Sequence, residues 1–227
     1  MTRRAWLAAA FAPAEPLLVA AASDLASLEP DLVRLVSHPI RFSFGSSGML
    51  ARQVENGAPF DVFLSADEGL ALDLARRGKL LPGQLYATGR LALWSKQPAL
   101  RQWIALSAPR FRHLAIANPQ HAPYGRAAKQ ALERAGYWAA LSGRTVLAEN
   151  VRQAWQFAES GNADVCLTAW SLVHAKGGTL VDAALHDPIR QVGAVVRASV
   201  KRPQAAAFLQ ALTGASGQAL LRSRGFE

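Results

Sequence analysis

Short apolar strands and amphipathic helices take turns along this chain, and few folds accommodate that alternation. Parallel strands joined by helices that pack on the sheet faces are the standard solution. Residues 17–20 read as a strand and 25–36 as a helix; 40–44 read as a strand and 49–55 as a helix closed by Asn56-Gly57. The pattern recurs in 60–64 with 68–77, in 113–117 with 124–135, and in 145–148 with 151–159. Ala127, Ala128, Ala131, Leu132 and Ala135 share one helical face, as do Val151, Ala154, Trp155 and Ala158. Further strands are expected at 85–94, 164–168 and 192–196, and a last helical region from Pro203 to Leu221. The expectation is an α/β protein with open parallel sheets flanked by helices.

Composition narrows the class. The 227 residues are 51% apolar and 18% charged, enough for a sizeable core and incompatible with a largely disordered chain. No apolar run approaches the ~20 residues of a membrane-spanning helix. The single cysteine, Cys166, rules out an intrachain disulfide framework and a cysteine-based zinc cluster. Arg3-Arg4, the apolar stretch 5–12 and Ala12-Pro13-Ala14 have the order of a short signal peptide, 1–14, with cleavage before Glu15. The net charge of +9 falls to +7 without Arg3 and Arg4. The remaining basic residues are scattered, with no run of five and no interleaved aromatics, so nucleic acid is not the expected partner. A diffuse positive field does raise the local concentration of small anions.

The junctions between strands and helices carry the chemistry. Ser23 follows Ala20-Ala21-Ala22 directly, and Ser46-Ser47-Gly48 follows the second strand. Pro123-Tyr124-Gly125 and Glu149-Asn150-Val151 open two later helices. A helix start leaves backbone N–H groups without intrahelical acceptors and carries about half a positive charge. At the carboxyl ends of parallel strands such turns bind anions. Serine is also a common N-cap, so each site alone has an ordinary structural explanation; the four together point to anion binding.

These segments resemble a known family. Ala20-Ala21-Ala22-Ser23, the stretch from Phe42 to Gln53 around Gly45-Ser46-Ser47-Gly48, and Gly57-Ala58-Pro59-Phe60-Asp61-Val62-Phe63-Leu64-Ser65-Ala66-Asp67 look like the periplasmic molybdate-binding proteins of ABC importers. Asn118-Pro119-Gln120-His121-Ala122-Pro123-Tyr124-Gly125, Glu149-Asn150-Val151-Arg152-Gln153-Ala154 and the terminal Arg224-Gly225-Phe226 fit in the same order. The resemblance implies a type II periplasmic binding protein fold: two Rossmann-like lobes with a ligand cleft between them, lobe 1 from 15–88 plus 193–227 and lobe 2 from 89–192. It implies an oxyanion ligand, molybdate or tungstate, held by Ser23 and Ser47 and by the backbone amides of Tyr124 and Val151. No cofactor is implied, and the expected partner is the membrane permease of an ABC importer, served by a periplasmic monomer. Many members add a tyrosine hydroxyl; here that position is Ala169, with Thr168 or a water as candidate substitutes.

The chemistry of the ligand agrees with such a site. Molybdate and tungstate are dianions with acceptor lone pairs alone, and a site of donors disfavours protonated oxyanions. Each hydrogen bond to a charged group contributes roughly 1.5–3 kcal/mol. A sulfate-like oxyanion is the alternative within the class. The effector-sensing domain of a transcription regulator shares this fold, but no helix-turn-helix segment precedes Leu17. Enzyme readings are weaker. His38, His113, His121, His174 and His186 have no metal-ligand spacing, and neither a G-x-S-x-G elbow nor a phosphate-binding P-loop is present. A hydrolase using Ser23 or Ser47 lacks a recognisable histidine partner. Cys166 sits in an apolar strand as a small hydrophobe.

Overall fold

The computed structural model describes residues 15–107 and 111–227; the leader expected at 1–14 lies outside them. In chain order the strands are β1 (Leu17–Ala22), β2 (Ile40–Gly45), β3 (Val62–Ser65), β4 (Gln84–Gly89), β5 (Leu91–Ser95), β6 (Leu114–Ala117), β7 (Thr145–Ala148), β8 (Val165–Ala169), β9 (Thr179–Leu180) and β10 (Ile189–Val195). The helices are α1 (Glu29–Leu32), α2 (Ser47–Glu55), α3 (Glu68–Arg76), α4 (Pro123–Arg134), α5 (Trp138–Leu141), α6 (Val151–Ser160), α7 (Trp170–Val173), α8 (Arg202–Thr213) and α9 (Ala215–Ser223).

The strands form two five-stranded sheets, ordered β2-β1-β3-β10-β4 and β7-β6-β8-β5-β9. Interior strands such as β1, β3, β6 and β8 are apolar and buried on both faces because helices cover the sheets. Leu25, Leu28, Phe208 and Leu212 pack on one face of the first sheet, and Leu50, Val54, Ala71 and Leu74 on the other. The second sheet has its own core, which also takes in Ala22 and Ala66 from the ends of β1 and β3. The chain passes from the first sheet to the second at Arg90 and returns between Leu180 and Ile189.

Several elements differ from the sequence expectation, each for a physical reason. The sheets are mixed, not purely parallel, because β10 runs antiparallel to β3 and β4, and β5 antiparallel to β8. β10 joins the first sheet from Ile189, inside the stretch that the sequence assigned to the second lobe. Apolar patterning is clear in 192–196, whereas the pairing of Ile189, Arg190 and Gln191 with Gly89, Thr88 and Ala87 leaves no such trace. The helix expected over 25–36 is a 3-10 turn (Ser23–Leu28), the single-turn α1 and a second 3-10 turn (Val33–Leu35). Pro30 sits at the start of α1, where it cannot donate to a carbonyl of the preceding turn. The C-terminal helical region breaks at Gly214 into α8 and α9.

Register decides what meets at the strand ends. β1 and β2 pair in parallel from Leu17↔Ile40 to Ala22↔Gly45, so the turns carrying Ser23 and Ser46-Ser47 emerge side by side. β6 and β7 pair up to Ala117↔Ala148, which brings the starts of α4 and α6 together in the same way. The two pairs of turns face each other across the gap between the sheets.

Candidate anion-binding site

Ala22, Ser23, Asp24, Gly45, Ser46, Ser47 and Ala66 from one side and Ala122, Pro123, Tyr124 and Val151 from the other line one small cavity between the sheets. Ser23, Ser47, Tyr124 and Val151, separated by more than a hundred residues in sequence, therefore share one site. Ser47 and Val151 are the first residues of α2 and α6, and Tyr124 is the second of α4. Amides at those positions have no intrahelical acceptor. Three helix N-termini and a 3-10 turn aim positive potential at the same point.

The serine hydroxyls are disposed as donors. Ser47, fully buried, accepts from the Ala66 amide through Oγ at 2.9 Å, which leaves its own proton to point elsewhere. Ser23 is a buried residue directly after the end of β1. Replacing either residue by alanine removes a donor to a charged ligand, and we expect a loss of roughly 1–3 kcal/mol, about 5- to 150-fold in Kd by calorimetry. Ser47→Ala should also lower the melting temperature of the free protein, since the Ala66 amide loses its acceptor; Ser23→Ala should not. Unchanged affinity in both variants would return the two serines to ordinary capping roles.

Thr168 and Ala169 stand apart from the cavity lining. The Thr168 hydroxyl donates to the Val151 carbonyl at 3.0 Å, so it braces the start of α6. Ala169 is fully buried at the end of β8 and caps α7. Cys166 lies on β8 in the second core, and burial pushes its thiol far above the ordinary range, as expected for an inert side chain.

The lobes are bridged by polar contacts around the cavity. His121 accepts from the Gly48 amide through its carbonyl at 2.9 Å, and its ring Nδ1 lies 2.9 Å from Ser46 Oγ. His121 is thus on the rim, beside Arg52 and Arg126, and not in the cavity lining. Desolvation, then the charge of Arg52, lowers its pKa. Arg126 pairs with Asp67 on the other side of the cavity. At the back, Tyr124 Oη donates to Asp24 Oδ2 at 2.9 Å, and Ser171 Oγ donates to the Asp24 carbonyl at 2.8 Å. Gln191 Nε2 also donates to Asp24, and Tyr86 Oη to Gln191 Oε1 at 2.6 Å. This buried network was not foreseen. Asp24 directly follows Ser23 and reads from sequence as an acidic residue in the first turn of a helix, where it is unremarkable.

Comparison with known proteins agrees with this geometry. The family of bacterial extracellular solute-binding proteins matches residues 8–227. The chain is 34% identical to the molybdate-binding protein ModA of Azotobacter vinelandii, covering 98% of this chain and 94% of that one. It is 35% identical to ModA of Rhodobacter capsulatus, over 83% and 77% of the two chains. The solved structure of the Azotobacter vinelandii periplasmic molybdate-binding protein superposes with a TM-score of 0.87 at 32% identity, covering 93% of this chain and 98% of that one. The sulfate-binding protein SubI of Mycobacterium tuberculosis, at 17% identity and a TM-score of 0.76 over 92% of this chain and 85% of its own, shares the fold.

Proposed function

This chain belongs to the bacterial extracellular solute-binding proteins, and from that premise we propose that it captures molybdate or tungstate and delivers the oxyanion to the membrane permease of an ABC importer. The observation that carries the reading is the convergence of Ser23, Ser47, Tyr124 and Val151 on one small cavity between two lobes. Hydroxyls and helix-start amides supply hydrogen-bond donors, with no cationic side chain in the lining among the described residues, which suits an anion that is to be released again. The relatedness to two ModA proteins at 34% and 35% identity supports molybdate over other oxyanions. The likeness to a periplasmic molybdate-binding protein supports a periplasmic location, and we infer a monomer that performs no chemistry on its cargo. No cofactor is needed: the oxyanion is the ligand. With Thr168 engaged by Val151 and Ala169 in the core, a water is the substitute that fits the missing tyrosine hydroxyl, at an immobilisation cost of about 0–2 kcal/mol.

Thermal unfolding with added oxyanions tests the proposal. A ligand that binds only the folded state contributes about 2.7 kcal/mol at a hundredfold excess over Kd. For a chain of this size that corresponds to a rise in Tm of roughly 5–11 °C. Molybdate and tungstate should produce it, and sulfate and phosphate should do little. Equal shifts from all four, or none from any, would overturn the assignment.

A further inference from the structure

Among the described residues Asp24 is the one carboxylic acid in the cavity lining, and its surroundings do not suit a carboxylate. The residue is fully buried. Oδ2 accepts from Tyr124 Oη and from Gln191 Nε2, whereas Oδ1 has no hydrogen-bond partner among the described residues. A buried charge ordinarily has a counter-charge or a full set of donors. Here the side chains around it are Tyr124 from α4, Tyr86 from β4, Gln191 from β10 and Ser171 from α7, none of them cationic. Both tyrosines are held neutral, their pKa raised first by burial and then by Asp24 itself. His174, on the turn after α7, directs its ring to the Ser171 carbonyl. A bound dianion would add two negative charges beside this group.

We propose that Asp24 is a neutral acid in the loaded protein, so that capture of one oxyanion takes up one proton, and that this neutral carboxyl is the residue that positions Tyr124. The inference rests on the oxyanion reading of the cavity. The proton belongs on Oδ1, the oxygen without a donor; Oδ2 keeps both of its donors as a carbonyl oxygen. An oxyanion, which has only acceptors, supplies the acceptor that the new O–H lacks in the protein. Asp24 holds the Tyr124 hydroxyl from the opposite lobe, and so fixes the start of α4 whose amide faces the ligand. Burial, offset in part by hydrogen bonds from Gln191, Tyr124 and the backbone amides of Asp24 and Leu25, pushes this carboxyl up to about 6, and the charge of a dianion raises it further. An acid whose pKa is higher in the loaded than in the free protein gains a proton on loading, in the pH window between the two values. Affinity is therefore greatest below that window and falls as pH rises through it, by up to about tenfold per pH unit.

Calorimetric titration of the full chain with molybdate near pH 6, 7 and 8, in buffers of different ionisation enthalpy, tests this. The wild type should take up close to one proton near neutrality, with Kd rising toward pH 8. Asp24→Asn should bind with no uptake and a flat profile. Normal binding without uptake overturns the inference alone; no binding at all overturns the oxyanion reading and the inference with it. Uptake that persists unchanged in Asp24→Asn assigns the proton elsewhere, with His121 on the rim the first alternative, and overturns it too. Should Asp24→Asn fail to fold, His121→Gln decides: retained uptake supports Asp24, and lost uptake rejects it.

Discussion

Gly48→Ala is expected to abolish molybdate binding, by a hundredfold or more in Kd, while leaving the free protein as stable as the wild type. Gly48 is the second residue of α2, in the first lobe. A methyl group there would lie 2.5 Å from the His121 carbonyl oxygen, 3.0 Å from its Cα and 3.1 Å from its Cβ. Those atoms belong to the second lobe, and the loop that carries them is held by Asn118, whose amide donates to the Ala148 carbonyl at 2.7 Å and whose Oδ1 accepts from Gln120. Backbone so held cannot give by the ångström that the methyl needs. Within its own helix the substitution is favourable, since alanine exceeds glycine in helix propensity by about 1 kcal/mol. The clash therefore exists only when the lobes are together, and it also removes the 2.9 Å bond from the Gly48 amide to His121. Each lobe folds; closure over the anion does not occur. Calorimetry together with a melting curve of the ligand-free protein checks both halves. Binding within tenfold of wild type would mean that the lobes need not approach as closely as this at Gly48.

The way these turns meet explains how far the sequence could be read. Ser23, Ser47, Tyr124 and Val151 were legible because the features that place them are local: an apolar strand, a small-residue turn, a helix start. Parallel pairing then does the rest, since Ala22↔Gly45 and Ala117↔Ala148 set each pair of turns side by side. The antiparallel course of β10 was not legible, because strand direction depends on partners more than a hundred residues away and leaves no mark in the pattern of 192–196. Asp24 escaped for a related reason. Its burial is produced by Tyr124 and Ser171 from the far lobe and by Gln191 from β10, and a local reading sees only an acidic residue in a first turn. Thr168, a candidate substitute for the missing hydroxyl, braces the Val151 carbonyl instead, and which of the two its hydroxyl meets is a matter of rotamer and packing, beyond the reach of sequence spacing.

Gly125→Ala should damage binding and stability together, and the contrast with Gly48→Ala separates closure from site construction. Gly125 is in the first turn of α4, where a methyl group would lie 2.1 Å from the Ala117 carbonyl oxygen, 2.7 Å from the Ala117 carbonyl carbon and 2.9 Å from that of Asn118. These atoms are at the end of β6 in the same lobe, so the clash is present whether or not the lobes close. Relief requires the start of α4 to withdraw from the sheet. That movement carries the Tyr124 amide away from the cavity and pulls Tyr124 Oη from Asp24. Overpacking of this kind typically costs 1–3 kcal/mol, and contact with backbone atoms places this case at the upper end; the gain in helix propensity offsets about 1 kcal/mol of it. A net loss of roughly 1–2 kcal/mol lowers Tm by about 2–8 °C for a chain of this length. Molybdate affinity should fall at least a hundredfold, because an amide donor and the interlobe hydroxyl bond are lost at once. A melting curve and a titration on the same preparation decide the matter. A Gly125→Ala protein with the melting temperature and affinity of wild type would show that α4 does not need this close approach, and would remove the reason for placing Tyr124 at the ligand.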